Sequence, residues 1–189
     1  MNRLLNNPEQ VVDEMLAGYI ASYPERFCKL DGYHVLLNKN EKDKVSIVIG
    51  AGGGNEPWPI GYVGEGLADA CSLGNVFAAP TAKSILNAIR YVPNEKGVLC
   101  IATNHAGDVL NFELVAGLAE MEGIHTRQIY VSDDITSAEK TQREERRGIA
   151  GVSLIVKIAA AASEAGLSLE EVYEIASMAN KNIYTVSVT

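Results

Sequence analysis

Val45-Ser46-Ile47-Val48-Ile49-Gly50-Ala51-Gly52-Gly53-Gly54-Asn55 is a short apolar run, rich in β-branched residues, that ends in glycines. Such a run bounded by a turn signal reads as a buried strand. A second segment repeats the arrangement: Gly97-Val98-Leu99-Cys100-Ile101-Ala102 stops at the polar turn Thr103-Asn104-His105-Ala106-Gly107-Asp108. A third strand is predicted over 126–131. Helical spacing lies between these runs, and strands alternating with helices imply an α/β domain. Its sheet should be largely parallel or mixed, with helices on both faces. Ligands of such sheets gather in the crevice outside the carboxyl ends of strands, so the turns at 50–57 and 103–108 carry the functional argument.

Outward from this frame, Asn7 reads as a helix N-cap and Pro8 as a first helical residue. Val11, Val12, Met15, Leu16 and Tyr19 follow at helical spacing. A short helix is predicted over 61–71, placing Asp69 inside it, with a brief apolar stretch over 76–79. Thr81 opens the next helix, on which Ile85, Leu86 and Ile89 share a face. Asp108 takes the N-cap position of a helix over 109–122. The polar stretch 132–147 reads as the least ordered part of the chain, with its Arg143–Arg147 cluster as a solvated face. An alanine-dense helix over 149–165 should pack closely and stop at Gly166. Ser168 and Glu171 form a capping box for the last helix, and 183–188 reads as strand-like. No internal repeat is apparent. The expectation is one domain over 1–189, with a core at about 8–182 and a tail at 183–189.

The chain has 189 residues, 47% hydrophobic and 21% charged, a globular balance. Its net charge of −8 argues against a nucleic-acid partner, whose phosphates call for clustered lysine and arginine. Three widely spaced cysteines offer neither a zinc motif nor an even disulfide framework, which suits a reducing compartment. The stretch 1–7 lacks the apolar run of a signal peptide, and no segment is long enough to span a bilayer. A cytoplasmic location is the expectation, with no membrane partner.

Consecutive glycines let a backbone approach a ligand and aim N–H groups at it. A Walker-type phosphate loop needs Gly-Lys-Ser/Thr at its end, and Gly54-Asn55-Glu56-Pro57 does not supply it. A dinucleotide fingerprint needs glycine where Asn55 stands and an immediate helix, which Pro57 and Pro59 forbid. A ligand-free structural turn is the remaining alternative. Asp108, by itself, serves as a helix cap as readily as a base. His105 reads equally as a solvent contact, and His34 and His125 have no partner in view.

Several separated motifs then agree in order. Gly52-Gly53-Gly54-Asn55-Glu56-Pro57 and Gly61-Tyr62-Val63-Gly64-Glu65-Gly66 closely resemble the start of the substrate-binding subunit of dihydroxyacetone (glycerone) kinases, the DhaK type. The resemblance continues in NHAGDVLNF over 104–112, where the family commonly has NYTGDVMNF. It continues in Asp133-Asp134, in Arg147-Gly148-Ile149-Ala150-Gly151 and in Lys157-Ile158-Ala159. It covers nearly the whole chain, to about Asn182.

The resemblance implies a subunit of glycerol metabolism that binds a small ketose such as dihydroxyacetone. The reaction is phosphoryl transfer to a hydroxyl, in which positioning and charge stabilisation do most of the work. ATP or ADP would sit on a separate subunit, the phosphoryl source being the nucleotide or a phosphotransferase system, and no cofactor is expected on this chain. Gly52, Gly53, Asn55, Thr103 and Asp108 would bind the ketose, with Asp108 as general base. The family motif usually reads GGGSGHEP, so Gly53 replaces a serine and Asn55 a histidine. Thr103 replaces a lysine common in the second turn. The family's subunit has two similar α/β halves, of which this sequence matches the first. The histidine that holds the ketose covalently belongs to the second half, so a complementary second-half chain is an expected partner. A face meant for that half favours self-association as a homo-oligomer. An alternative follows from Asn55 and Thr103, which remove reactive groups and leave the cradle: a non-catalytic ketose sensor or coactivator on the same fold.

Overall fold

The computed structural model describes residues 5–188. The expectations for residues 1–4 lie outside this range.

Six strands form one mixed sheet: β1 (Phe27–Lys29), β2 (Val35–Asn38), β3 (Ser46–Gly53), β4 (Ala70–Val76), β5 (Val98–Thr103) and β6 (Thr126–Val131), in spatial order β1-β2-β4-β3-β5-β6. The four strands β4, β3, β5 and β6 run parallel, and β2 and β1 extend one edge antiparallel. Successive side chains of a strand face opposite ways. Accordingly Ile47, Ile49, Leu99 and Ile101 enter one core layer, while Val48, Val98, Cys100 and Ala102 enter the other.

The first layer is covered by α1 (Val11–Ser22), α4 (Gly151–Glu164) and α5 (Leu169–Asn182), the second by α2 (Ala82–Tyr91) and α3 (Ala106–Met121). Helices thus cover both faces, as the alternation of elements predicts. Thr81 caps α2, accepting from Ser84 N–H, and Ser168 with Glu171 forms the predicted capping box on α5. Ala159 and Ala160 of α4 are fully buried, which brings that helix backbone close to the sheet.

Four expectations are corrected. Residues 61–71 are not a helix: a 3-10 turn at Ile60–Tyr62 leads through Gly64 and Gly66, both at positive φ, into β4. Glycines in that conformation end a helix rather than continue it. Asp69 therefore precedes β4, where it pairs with the buried Lys44 at 2.6 Å and accepts from Ile47 N–H at 2.8 Å. Of the stretch 76–79, Val76 ends β4 and 77–79 form the turn after it. The segment 183–188 forms no strand and makes a single bridge, between Thr185 and Asp134.

The segment 132–147 is likewise tied down rather than loose. Arg146 is buried and donates to the carbonyl of Ala138 at 3.0 Å, and Arg143 donates to the carbonyls of Asn180 and Ile183. The basic cluster is in part a set of backbone clamps, not a solvated face. Among the described residues, no helix is long and apolar enough to cross a membrane.

The chain leaves β3 towards β4 on one side and returns through α2 to β5 on the other. A crevice opens at the carboxyl ends where neighbouring connections diverge in this way.

Candidate functional site

That crevice is a cleft of about 710 Å³ between the ends of β3 and β5 and the start of α4. Its first wall comes from the glycine run. The pairing of β3 with β4 shifts register between Gly52 and Gly53. A β-carbon at Gly52 would lie 2.8 Å from the carbonyl oxygen of Ala78, so the 77–79 segment sits against bare backbone there. Gly54, at φ +94°, turns the chain outward, and its N–H donates to both carboxylate oxygens of Glu56 at 3.1 Å. Trp58 then folds back over the cleft, edge-on to Tyr62 with ring centroids 5.6 Å apart.

The second wall begins where β5 ends. Asn104 donates through Nδ2 to the carbonyls of Glu144 at 2.8 Å and Arg146 at 2.7 Å, binding this turn to the 144–146 segment. His105 Nε2 donates to the carbonyl of Gly148 at 2.9 Å, which fixes the proton on that nitrogen. His105, not Asp108, is the N-cap residue of α3. The helix starts three residues earlier than predicted because Ala106 and Gly107 are helical rather than turn. Asp108 consequently stands in the first helical turn, where the N-terminal dipole favours a negative charge.

Asp108 is 6% exposed, and its Oδ1 has no hydrogen-bond partner in the chain. Burial pushes its carboxyl up from 3.8 to about 6, against the opposing pull of His105 and of the Thr103 side chain. A carboxylate held in that range sits near the point where it can take a proton at neutral pH.

The third wall is the approach to α4, and its geometry traces to Asp133, which is fully buried. Its two carboxylate oxygens accept from the backbone N–H groups of Ile149 and Gly151, each at 2.8 Å, and Thr185 donates its hydroxyl to the same carboxylate. Gly148 lies so close to β6 that a β-carbon there would be 2.2 Å from the carbonyl of Val131. These contacts run residues 148–153 along the cleft.

Of the residues predicted for the site, Gly52, Asn55, Thr103 and Asp108 line this one cleft. Gly53 does not: a β-carbon at 53 would point at Val12, 3.1 Å away, on the side of α1. Trp58, Tyr62, Phe77, His105 and the 148–153 segment line it as well, none of them assigned from sequence. Trp58 carried a usable signal, being the single tryptophan of the chain and set between two prolines beside the glycine run. Among the described residues that line the cleft there is no lysine or arginine, so the lining supplies no cation for a polyphosphate.

Comparison with known proteins bears on this arrangement. The family described as the Dak1 domain matches residues 17–189. The chain is 40% identical over 192 aligned positions to the dihydroxyacetone-binding subunit DhaK of a PTS-dependent dihydroxyacetone kinase from Listeria innocua, covering 100% of this chain and 57% of that one. The chain thus spans little more than half the length of that relative. Its fold superimposes on the dihydroxyacetone kinase from C. freundii, solved with AMP-PNP and Mg2+, with a TM-score of 0.88 at 31% identity, covering 96% of this chain and 34% of the kinase. It also superimposes on the dihydroxyacetone kinase operon co-activator DhaQ, with a TM-score of 0.81 at 35% identity, covering 87% of this chain and 51% of the co-activator. With the mixed sheet, the glycine-walled crevice and the match along 17–189 in agreement, the chain belongs to the Dak1 domain family.

Proposed function

We propose that this chain is a single ketose-binding α/β domain of a dihydroxyacetone-kinase-like subunit. In this reading the cleft between β3 and β5 holds a small ketose, and Asp108 accepts the proton of the hydroxyl that attacks the phosphoryl group. The observation that carries it is Asp108 itself, a buried carboxylate with one unpartnered oxygen on the wall of a glycine-lined cleft. A deprotonated carboxylate beside a hydroxyl makes the oxygen a better nucleophile as the phosphoryl group arrives. Gly52 forms the floor, and Thr103 and Asn55 offer neutral hydrogen-bonding groups around it. The phosphoryl group comes from outside this chain, from ATP on a nucleotide-bearing subunit or from a phosphotransferase system by way of an ADP held there. The second half of the family's subunit completes the enzyme and supplies the histidine that anchors the ketose.

The test is reconstitution of the full chain with the second half and nucleotide-bearing subunit of a relative. Ketose-dependent consumption of the phosphoryl donor is expected, falling about 100-fold or more on Asp108→Asn. Turnover indifferent to that substitution overturns the assignment of Asp108.

A second reading rests on Asn55 and Thr103, which replace the family's histidine and lysine, and on the likeness to a co-activator. Asparagine hydrogen-bonds but neither takes up nor releases a proton at neutral pH. A ketose sensor would bind without turnover under any donor. Under the kinase reading Asn55→His raises turnover, and under the sensor reading it leaves the product undetectable.

A further inference from the structure

Among the described residues, four buried side-chain polar atoms make no hydrogen bond within the chain: Trp58 Nε1, Asp108 Oδ1, Arg127 Nε and Tyr130 Oη. Two of the four belong to residues that line the same cleft, Trp58 and Asp108, and they are chemical complements. The indole N–H is a donor only, and an ionised carboxylate is an acceptor only. They stand on different walls, Trp58 on the loop after β3 and Asp108 on the first turn of α3. Buried polar groups are satisfied almost without exception, and an orphan in a native fold calls for an explanation. Nothing structural explains the indole nitrogen. The ring is held by its edge-on contact with Tyr62, which uses the π-system and not the N–H.

We infer that Trp58 is a specificity-determining residue of the cleft, its indole N–H donating to an oxygen of the ketose other than the hydroxyl that faces Asp108. The inference rests on the ketose reading given above. It narrows the ligand class: the bound molecule carries at least two oxygens, one on a hydroxyl that gives a proton towards Asp108 and one that accepts from Trp58. A mono-alcohol satisfies only one wall and leaves the other orphaned. A site built to hydrogen-bond an oxygen rejects analogues that lack it far more strongly than an apolar wall rejects a change of size.

Trp58 is the single tryptophan, so a 15N-labelled full chain gives one indole N–H signal, assigned without mutagenesis. The experiment titrates dihydroxyacetone into the full chain and follows that signal together with the backbone amides of Gly107 and Asp108. The expected result is a downfield shift and slowed solvent exchange of the indole proton, in step with the amide shifts. Trp58→Phe, which keeps an aromatic ring against Tyr62 and removes the N–H, is expected to weaken ketose binding about 3- to 10-fold, the range of one neutral hydrogen bond. 1-Propanol, with one oxygen, is expected to leave the indole signal where it was. Amide shifts with an unmoved indole signal, or equal affinity in Trp58→Phe, overturn the role of Trp58 and leave the ketose reading standing. No shift of any of these signals at saturating ketose overturns both.

Discussion

The carboxylate of Asp133 lies against the α-carbon of Gly151, with Oδ2 accepting from the Gly151 N–H at 2.8 Å and Cγ 2.7 Å from where a β-carbon would stand. Oδ1 accepts from Ile149 N–H, so one buried acid satisfies the first N–H of α4 and another just before its N-cap. The Asp133-Asp134 and Arg147–Gly151 motifs, far apart in sequence, are therefore two sides of one joint. That joint sets the third wall of the cleft.

Asp133→Asn tests the joint. The amide that replaces one carboxylate oxygen donates where an acceptor is needed, setting two N–H groups against each other. The expected cost is about 2 kcal/mol, the scale of a hydrogen bond to a charged group. For a chain of this size that lowers the melting midpoint by roughly 2–4 °C per kcal/mol. An unchanged midpoint in thermal denaturation would show that the acid is dispensable.

Asp108 should make stability depend on pH in the direction opposite to an ion-paired acid. Its folded-state pKa, about 6, is raised above the ordinary 3.8, so the fold prefers the protonated form. Stability from this group is complete below pH 3.8 and is lost as pH rises towards 6. Above that range the buried carboxylate destabilises the fold by about 1–3 kcal/mol. Asp108→Asn is then expected to melt higher than the parent above pH 6 and at nearly the same temperature below pH 3.8. A variant that is no more stable above pH 6 contradicts the cost of ionisation at this site.

The legible parts of the sequence were those in which one physical signal dominates. β3 and β5 are apolar runs that end abruptly at glycines or a polar turn, and Ser168 with Glu171 is a local motif whose geometry needs no tertiary partner. β4 is not legible as a strand: the helix expected over 61–71 takes in its first two residues, and Ala70-Cys71-Ser72-Leu73-Gly74 shows no apolar–polar alternation. Its strand state comes from pairing with β3 and β2, which is invisible in one segment. The start of α3 was missed by three residues because Gly107 looks like a turn. The role of Arg146 is non-local as well: its hydrogen bond to Ala138 closes a loop that the charge pattern could not reveal. Of the residues expected at the site, Gly52 and Asp108 line the cleft and Gly53 does not. Strand pleat turns alternate residues away from the cleft, and the register shift after Gly52 decides which residues those are.

Lys44 and Asp69 provide a test far from the cleft, at the opposite end of β3. The ammonium and carboxylate meet at 2.6 Å, with the two side chains 6% and 12% exposed. Removing one partner of a buried pair leaves the other charge uncompensated, a loss of roughly 3 kcal/mol or more. Lys44→Met should lower the denaturant midpoint accordingly, and Lys44→Met/Asp69→Asn should recover part of the loss, since asparagine still accepts from Ile47 N–H. Ketose binding, measured by calorimetry, is expected to stay at the parental level in the double variant. A double variant less stable than the single one would show that the pair does not act through its charges.

Gly52 links the fold to the cleft most directly. The carbonyl oxygen of Ala78 lies 2.8 Å from the β-carbon position of Gly52 and 1.8 Å from that of Gly74, so it is wedged between two glycines on adjacent strands. Both obstacles are backbone, and neither strand can yield without breaking the β3–β4 pairing. In Gly52→Ala the segment 77–79 must move instead, and it lines the cleft. The expected outcome is a stability loss of about 1–3 kcal/mol from overpacking, together with a ketose affinity reduced tenfold or more. Gly18→Ala is the control: no atom lies within 4 Å of its β-carbon position, and it is in the interior of α1. That variant should gain up to about 1 kcal/mol from helix propensity and bind ketose as the parent does. If Gly52→Ala retains full affinity, the 77–79 segment is not a wall that the ligand touches, and the site contracts to the β5 side of the cleft.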